Sequence, residues 1–240
     1  MTPLFDYFIS ITPGFLVFVA LLVSVPRDQT LLRILLHIAF FVLARDAMTR
    51  SSFWQINAGS LRFTAGPSVL LCLAALSAGL CVGVFWLERQ ARLGMSWWGS
   101  RVGTSLMVGV AGAVLIAAVV AALKAVFALP SLPAPAADTL AVLILFALAG
   151  NAYEELLFRG MLQNTLGKYM SAHRAAWVSG LFFCLCHACL ATTVTTVGTP
   201  VLLFTLLEGC VAAFVYMRAG LLGATLTHGL AIAAIATGLV

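Results

Sequence analysis

From Pro67 to Leu87 the chain runs without one charged side chain, and from Val102 to Leu129 it carries only Lys124. Such stretches match the roughly 20 apolar residues that a helix needs to cross a hydrocarbon core about 30 Å thick. They recur along the sequence. Apolar runs and their polar interruptions give about eight expected spans: Phe8–Val25, Leu31–Ala44, Pro67–Leu87, Val102–Leu129, Thr139–Leu166, Ala172–Ala191, Pro200–Met217 and Leu221–Val240. The expected fold class is therefore an all-α polytopic membrane protein. Phe8–Val25 reads as a retained span, because Met1–Tyr7 carries Asp6 and no Lys or Arg, and no clear cleavage site follows.

Composition agrees. Apolar residues make up 62% of the chain and charged residues 9%, against about 25% charged in a typical soluble domain. The mean hydropathy is +1.09. These values exclude a disordered chain, a coiled coil and an ordinary soluble globule. The net charge of +5 comes with no basic cluster interleaved with aromatics, so anionic lipid is the expected partner and nucleic acid is not. Nine Lys and Arg on one set of connections against four on the other favour N-out and C-out termini. The six cysteines lie in apolar stretches and read as small buried hydrophobes, not a disulfide framework.

Two regions fit this pattern poorly. The second span is short and carries Arg33 and His37, expected at the interface with Arg33 reaching back to water. The segment Arg45–Gly66 is polar and mixed, expected as a loop or an amphipathic surface helix. A third feature organises the chain. Pro130-Ser-Leu-Pro133-Ala-Pro135 marks a linker at 130–138, between a lipid-facing scaffold half at 1–129 and a working core at 139–240. The core holds nearly all the intramembrane ionisable residues.

A charge in lipid costs at least about 2.5–3.5 kcal/mol, so such residues are functional candidates by default. The fifth span contains Asn151-Ala-Tyr153-Glu154-Glu155 and Arg159, the sixth Phe183 and His187, the seventh Glu208, the eighth His228. Glu155 and Arg159 are i and i+4, share a helix face and can pair. Glu154 lies about 100° round the helix and is left to face a histidine of a neighbouring helix. A carboxylate beside an imidazole can hold and deprotonate a water that attacks an amide carbonyl. A second histidine can donate to the developing oxyanion. Glu154, His187 and His228 are available for these parts.

Glu154-Glu155-x-x-x-Arg159, then Phe183-x-x-x-His187, then His228 in a last span resemble the CAAX-protease and bacteriocin-processing family of intramembrane endopeptidases, also called the type II CAAX prenyl endopeptidase family. The resemblance covers about Ala141–Ile235. It implies a glutamate-dependent protease acting within the membrane. It assigns water activation to Glu154 and His187, support to Glu155 and Arg159, and the oxyanion to His228. Phe183 belongs to the second motif, and Glu208 is a supporting residue without a motif of its own. One departure stands out: the family's last motif is His-x-x-x-Asn, and here Ile232 takes the asparagine position.

The expected function is cleavage of a membrane-tethered peptide or protein tail in leader processing, peptide maturation or sorting-signal removal. The expected location is a bacterial cytoplasmic membrane, as a multi-pass protein. No cofactor is required on this scheme. A zinc-dependent version would use Glu154, His187 and His228 as ligands. Two further alternatives are a catalytically inactive immunity or scaffold relative, which Ile232 favours, and a proton-coupled carrier using the buried Glu and His residues as a relay.

Overall fold

A computed structural model describes residues 3–57, 60–89, 94–129 and 134–240. Pro130–Pro133 of the expected linker and Arg92 of the charge count lie outside the described residues. The fold is nearly all-α. Its helices are α1 (Pro3–Ser24), α2 (Thr30–Arg50), α3 (Pro67–Leu87), α4 (Val102–Val126), α5 (Ala137–Leu166), α6 (Ala172–Leu185) and α7 (Thr199–Ala236). All but α2 belong to six helical stretches long and apolar enough to cross a membrane. Their outward faces are apolar, as lipid-facing surfaces must be: Val23, Val82, Val126 and Leu203 are among the exposed large side chains.

The count differs from eight because the seventh and eighth spans are one element with a break. An unbroken helix of 38 residues would be about 57 Å long, nearly twice the hydrocarbon thickness. Gly220 interrupts it with φ 64° and ψ −166°, a conformation that favours glycine. A Cβ there would also fall 2.6 Å from the Trp98 amide nitrogen and 2.7 Å from the Ser96 carbonyl. The backbone at Ser96–Trp98 fills the break, because Leu221 and Leu222 donate their amides to the carbonyls of Ser96 and Trp97 at 2.8 and 2.9 Å. Those amides open the second arm and have no partner inside it. The two arms, 199–219 and 221–236, fold back on each other, which brings Glu208 and His228 to 3.2 Å.

The second helix corrects the sequence expectation. It is 21 residues long and runs on to Arg50. Arg33 and His37 are not interfacial; they are 5% and 1% exposed. Arg33 pairs with Glu88 at the end of α3 and donates to the carbonyls of Leu22 and Val25, tying α1, α2 and α3 together. His37 Nε2 lies 2.9 Å from the same carboxylate. The pairing explains the burial: a guanidinium with a carboxylate and two carbonyls no longer needs water.

The segment after α2 is neither a loop nor a surface helix. It is an antiparallel hairpin, β1 (Trp54–Asn57) with β2 (Ser60–Phe63), in the register Trp54↔Phe63 and Ile56↔Leu61. Alternation places those four apolar side chains on one face. The Trp54 and Phe63 rings stack at 6.0 Å, and Phe63 packs edge-on against Phe146 of α5. The cysteines are all free, and only Cys184 is fully buried. Trp86, Trp97 and Trp98 are exposed, as an aromatic belt requires.

Candidate active site

The polar residues singled out in the core half converge. α5 carries the first group. After Glu155 the helix widens into a π-helical stretch, Leu156–Gln163, all of it buried. Such stretches are rare and frequent at functional sites. Arg159 lies inside it with no exposed surface, and Glu155, one turn earlier and just before it, is equally buried. Their closest atoms, Arg159 Nε and Glu155 Oε2, are 3.0 Å apart, as the i, i+4 spacing implies. The N–H is not aimed along that line, so the contact is an ion pair without a well-formed hydrogen bond. Arg159 Nη2 donates to the Gly209 carbonyl at 3.0 Å, and its guanidinium lies 4.8 Å over the Phe183 ring.

That contact depends on a close helix crossing. A Cβ at Gly209 would meet the Phe183 ring at 2.9 Å, and one at Gly180 would meet the Cys210 sulfur at 2.7 Å. Glycine at both positions lets α6 and α7 touch, and the exposed carbonyl of Gly209 becomes the partner of Arg159. Phe183 is the hub: its ring lies 5.0 Å from Phe158, 4.5 Å from His187 and 5.5 Å from His228.

His187 follows directly on α6. Its Nδ1 lies 2.8 Å from the Phe183 carbonyl. A carbonyl only accepts, so Nδ1 carries the proton and Nε2 keeps a lone pair. His228, on the second arm of α7, is held from both sides. Nδ1 is 2.8 Å from Glu155 Oε1 and Nε2 is 3.2 Å from Glu208 Oε2. Neither ring nitrogen is left for a substrate oxygen. Of the two adjacent glutamates, Glu155 is the one that bonds His228. Glu154 Oε2 is buried with no hydrogen-bond partner, and so is Glu208 Oε1.

A cavity of about 860 Å³ opens on this group. Glu154, His187, Glu208 and His228 line it, and Ile232 presents its side chain to the same space. Most of the remaining wall is apolar and includes the hairpin face with Trp54 and Phe63. Its volume is in the range of small-molecule binding cavities. Among the described residues, no three His, Cys, Asp or Glu side chains gather as a metal-binding group. With both nitrogens of His228 facing carboxylates, the zinc set Glu154, His187 and His228 is not assembled in this arrangement.

Residues 136–234 match the family model described as type II CAAX prenyl endopeptidase Rce1-like. The resemblance carried by the three motifs is thus shown over α5, α6 and nearly all of α7. No curated protein and no solved structure matches the chain. The likeness to Rce1-like endopeptidases, together with six apolar helices, supports an integral membrane protein of CAAX-type intramembrane endopeptidase character.

One charged cavity residue outside the Rce1-like match lies close to His187 in the fold. Arg45, at the end of α2, is 4% exposed. Its Nε and Nη2 reach Asp46 Oδ1 at 3.0 and 2.8 Å, and Nη2 reaches the Cys186 carbonyl at 2.9 Å. In sequence it stands at the polar edge of a weak span and reads as a loop cation. The adjacent Asp46 was the available signal, since an Arg-Asp pair closing an apolar run can be buried together.

Proposed function

We propose that the chain is a glutamic-type intramembrane endopeptidase in which Glu154 and His187 activate water. The observation that carries this is the pair of open acceptors on one cavity. Glu154 Oε2 is buried without a partner, and the backbone bond at Nδ1 leaves His187 Nε2 as a lone-pair acceptor. A water has two O–H bonds to give. Donating one to each acceptor leaves its lone pair directed at a substrate carbonyl. In the attack, the water oxygen bonds to the carbonyl carbon, one proton passes to Glu154, and the carbonyl electron pair moves onto oxygen. Collapse breaks the C–N bond, and the proton held by Glu154 goes to the leaving amine.

Glu155, Arg159, Glu208 and His228 are positioning residues on this scheme. They form a chain, Arg159–Glu155–His228–Glu208, that fixes α5 against both arms of α7. The substrate is a membrane-tethered peptide or protein tail presented in extended form to the cavity. The proposed setting is a bacterial cytoplasmic membrane.

The test is cleavage in proteoliposomes of two reporters, a farnesylated C-terminal peptide and a single-span protein tail. Glu154→Ala and His187→Ala each abolish cleavage while eluting as the wild type in detergent, and a chelator leaves the wild-type rate unchanged. Loss of cleavage with chelator, restored by zinc, would replace this scheme with the metal-dependent one. Full activity in Glu154→Ala would sink both.

A further inference from the structure

We infer that Arg45, on a helix outside the family-like segment, supplies the oxyanion donor of this site. The inference rests on the endopeptidase scheme above and adds a residue to it. Three observations lead there.

The first is a missing donor. A tetrahedral intermediate at a buried site needs an N–H or O–H aimed at its oxygen. His228 has both nitrogens against carboxylates. Ile232, where a family asparagine is expected, offers only methyl and methylene groups to the cavity.

The second is an unused donor. Arg45 Nη1 is buried with no hydrogen-bond partner, while Nε and Nη2 are occupied. An unpaired buried guanidinium nitrogen is costly unless something else meets it. The lysine and the asparagine on the cavity each already hold a backbone carbonyl: Lys124 reaches that of Val240 at 3.0 Å, and Asn151 Nδ2 that of Ala147 at 2.6 Å.

The third is placement. Arg45 holds the carbonyl of Cys186, the residue before His187, so its guanidinium is fixed to the segment that carries the water-binding imidazole. It lines the cavity together with Glu154 and His187. Asp46 braces the fork through Nε and Nη2, which leaves Nη1 as the one guanidinium nitrogen without a partner. When the carbonyl electron pair moves to oxygen, Nη1–H donates to that oxygen. No proton leaves Arg45, and the bond relaxes when the C–N bond breaks.

A guanidinium could instead clamp a substrate's terminal carboxylate, and kinetics separate the two. Whichever reporter the wild type cleaves is prepared with a free-acid and an amidated C-terminus. We expect Arg45→Lys to lower kcat by about 10²–10³ with KM held within about threefold, equally on both forms. A raised KM with kcat retained, or a loss confined to the free acid, would overturn the inference in favour of a carboxylate clamp. Asp46→Asn, which leaves Arg45 in place and releases its brace, is expected to lower kcat about tenfold to a hundredfold without raising KM. If Arg45→Lys does not fold, an unchanged kcat in Asp46→Asn overturns the inference. Glu154→Ala separates the two levels. An inactive Glu154→Ala beside a fully active Arg45→Lys removes Arg45 alone, whereas an active Glu154→Ala removes the endopeptidase scheme beneath it.

Discussion

Glu88 shows how a single side chain sets a limit on the conditions this fold withstands. It ends α3 outside the spanning segment. Burial alone would raise its pKa, but hydrogen bonds from His37 and Arg33 outweigh that and hold it at about 2, below the ordinary 4.5. A carboxylate with a lowered pKa contributes its full stabilisation above its unfolded-state value and loses it as pH falls toward the folded one. The tie between α1, α2 and α3 is therefore complete above about pH 4.5 and weakens from there toward about pH 2. Thermal unfolding in detergent checks this. Wild type should exceed Glu88→Gln in Tm at about pH 6, with the gap narrowing below about pH 4.5 and closing only toward about pH 2. A gap independent of pH would mean that Glu88 acts through packing alone. Glu155 and Arg159 are a contrasting case, because their partnership was legible in the sequence. It is local, and i, i+4 spacing is enough to find it. Which glutamate meets His228 was not legible, since that depends on how α5 is rotated against α7, and no spacing within either helix reports it.

Elements depart from the sequence expectation where local polarity misleads. Thr30–Arg50 carries Arg33, His37, Arg45 and Asp46, and each looks like a reason to end a span. Every one of them has a partner, and four of those partners lie on other segments: Glu88 and the carbonyls of Leu22, Val25 and Cys186. Pairing across the fold cancels the cost that hydropathy assigns. The hairpin did leave a sign, the alternation of Trp54, Ile56, Leu61 and Phe63 around Ala58-Gly59. The expected boundary between the last two spans fell at the right place, because Arg218-Ala-Gly220 interrupts an otherwise apolar run. Gly220→Ala tests that joint. It puts a Cβ into the Ser96–Trp98 backbone at a positive φ, and strained φ/ψ alone costs on the order of 1–3 kcal/mol. The expected result is a lower Tm together with reduced cleavage, since Glu208 and His228 sit on opposite arms. An unchanged Tm would show that the joint is soft.

Taken as a whole, the molecule builds its cavity from both parts of the chain. Tyr7, Phe41 and Leu73 come from α1, α2 and α3, Trp54 and Phe63 from the hairpin, and the catalytic candidates from α5, α6 and α7. The fold class and the residues that converge were legible because apolar length and intramembrane charge are visible one residue at a time. The enclosing role of the first half was not, because a wall of ordinary apolar side chains has no motif. Residues 134–240 alone carry every motif residue yet lack the part of the wall that Tyr7 to Leu129 supply. Expressed without the rest, they should insert in membranes and show no cleavage of either reporter. Wild-type turnover by that fragment would reduce α1–α3 and the hairpin to a passive frame.

The ladder Arg159–Glu155–His228–Glu208 also bears on how such a chain is made. Glu155 carries its counterion four residues on, within the same helix, and can enter lipid as soon as α5 leaves the ribosome. Glu208 has no such companion on its own arm. Its partner, His228, emerges 20 positions later, roughly 1–4 s at ordinary elongation rates. For that interval a lone carboxylate would face hydrocarbon. The fold at Gly220 removes the difficulty if both arms leave the translocation channel together, as a closed pair in which carboxylate and imidazole already meet.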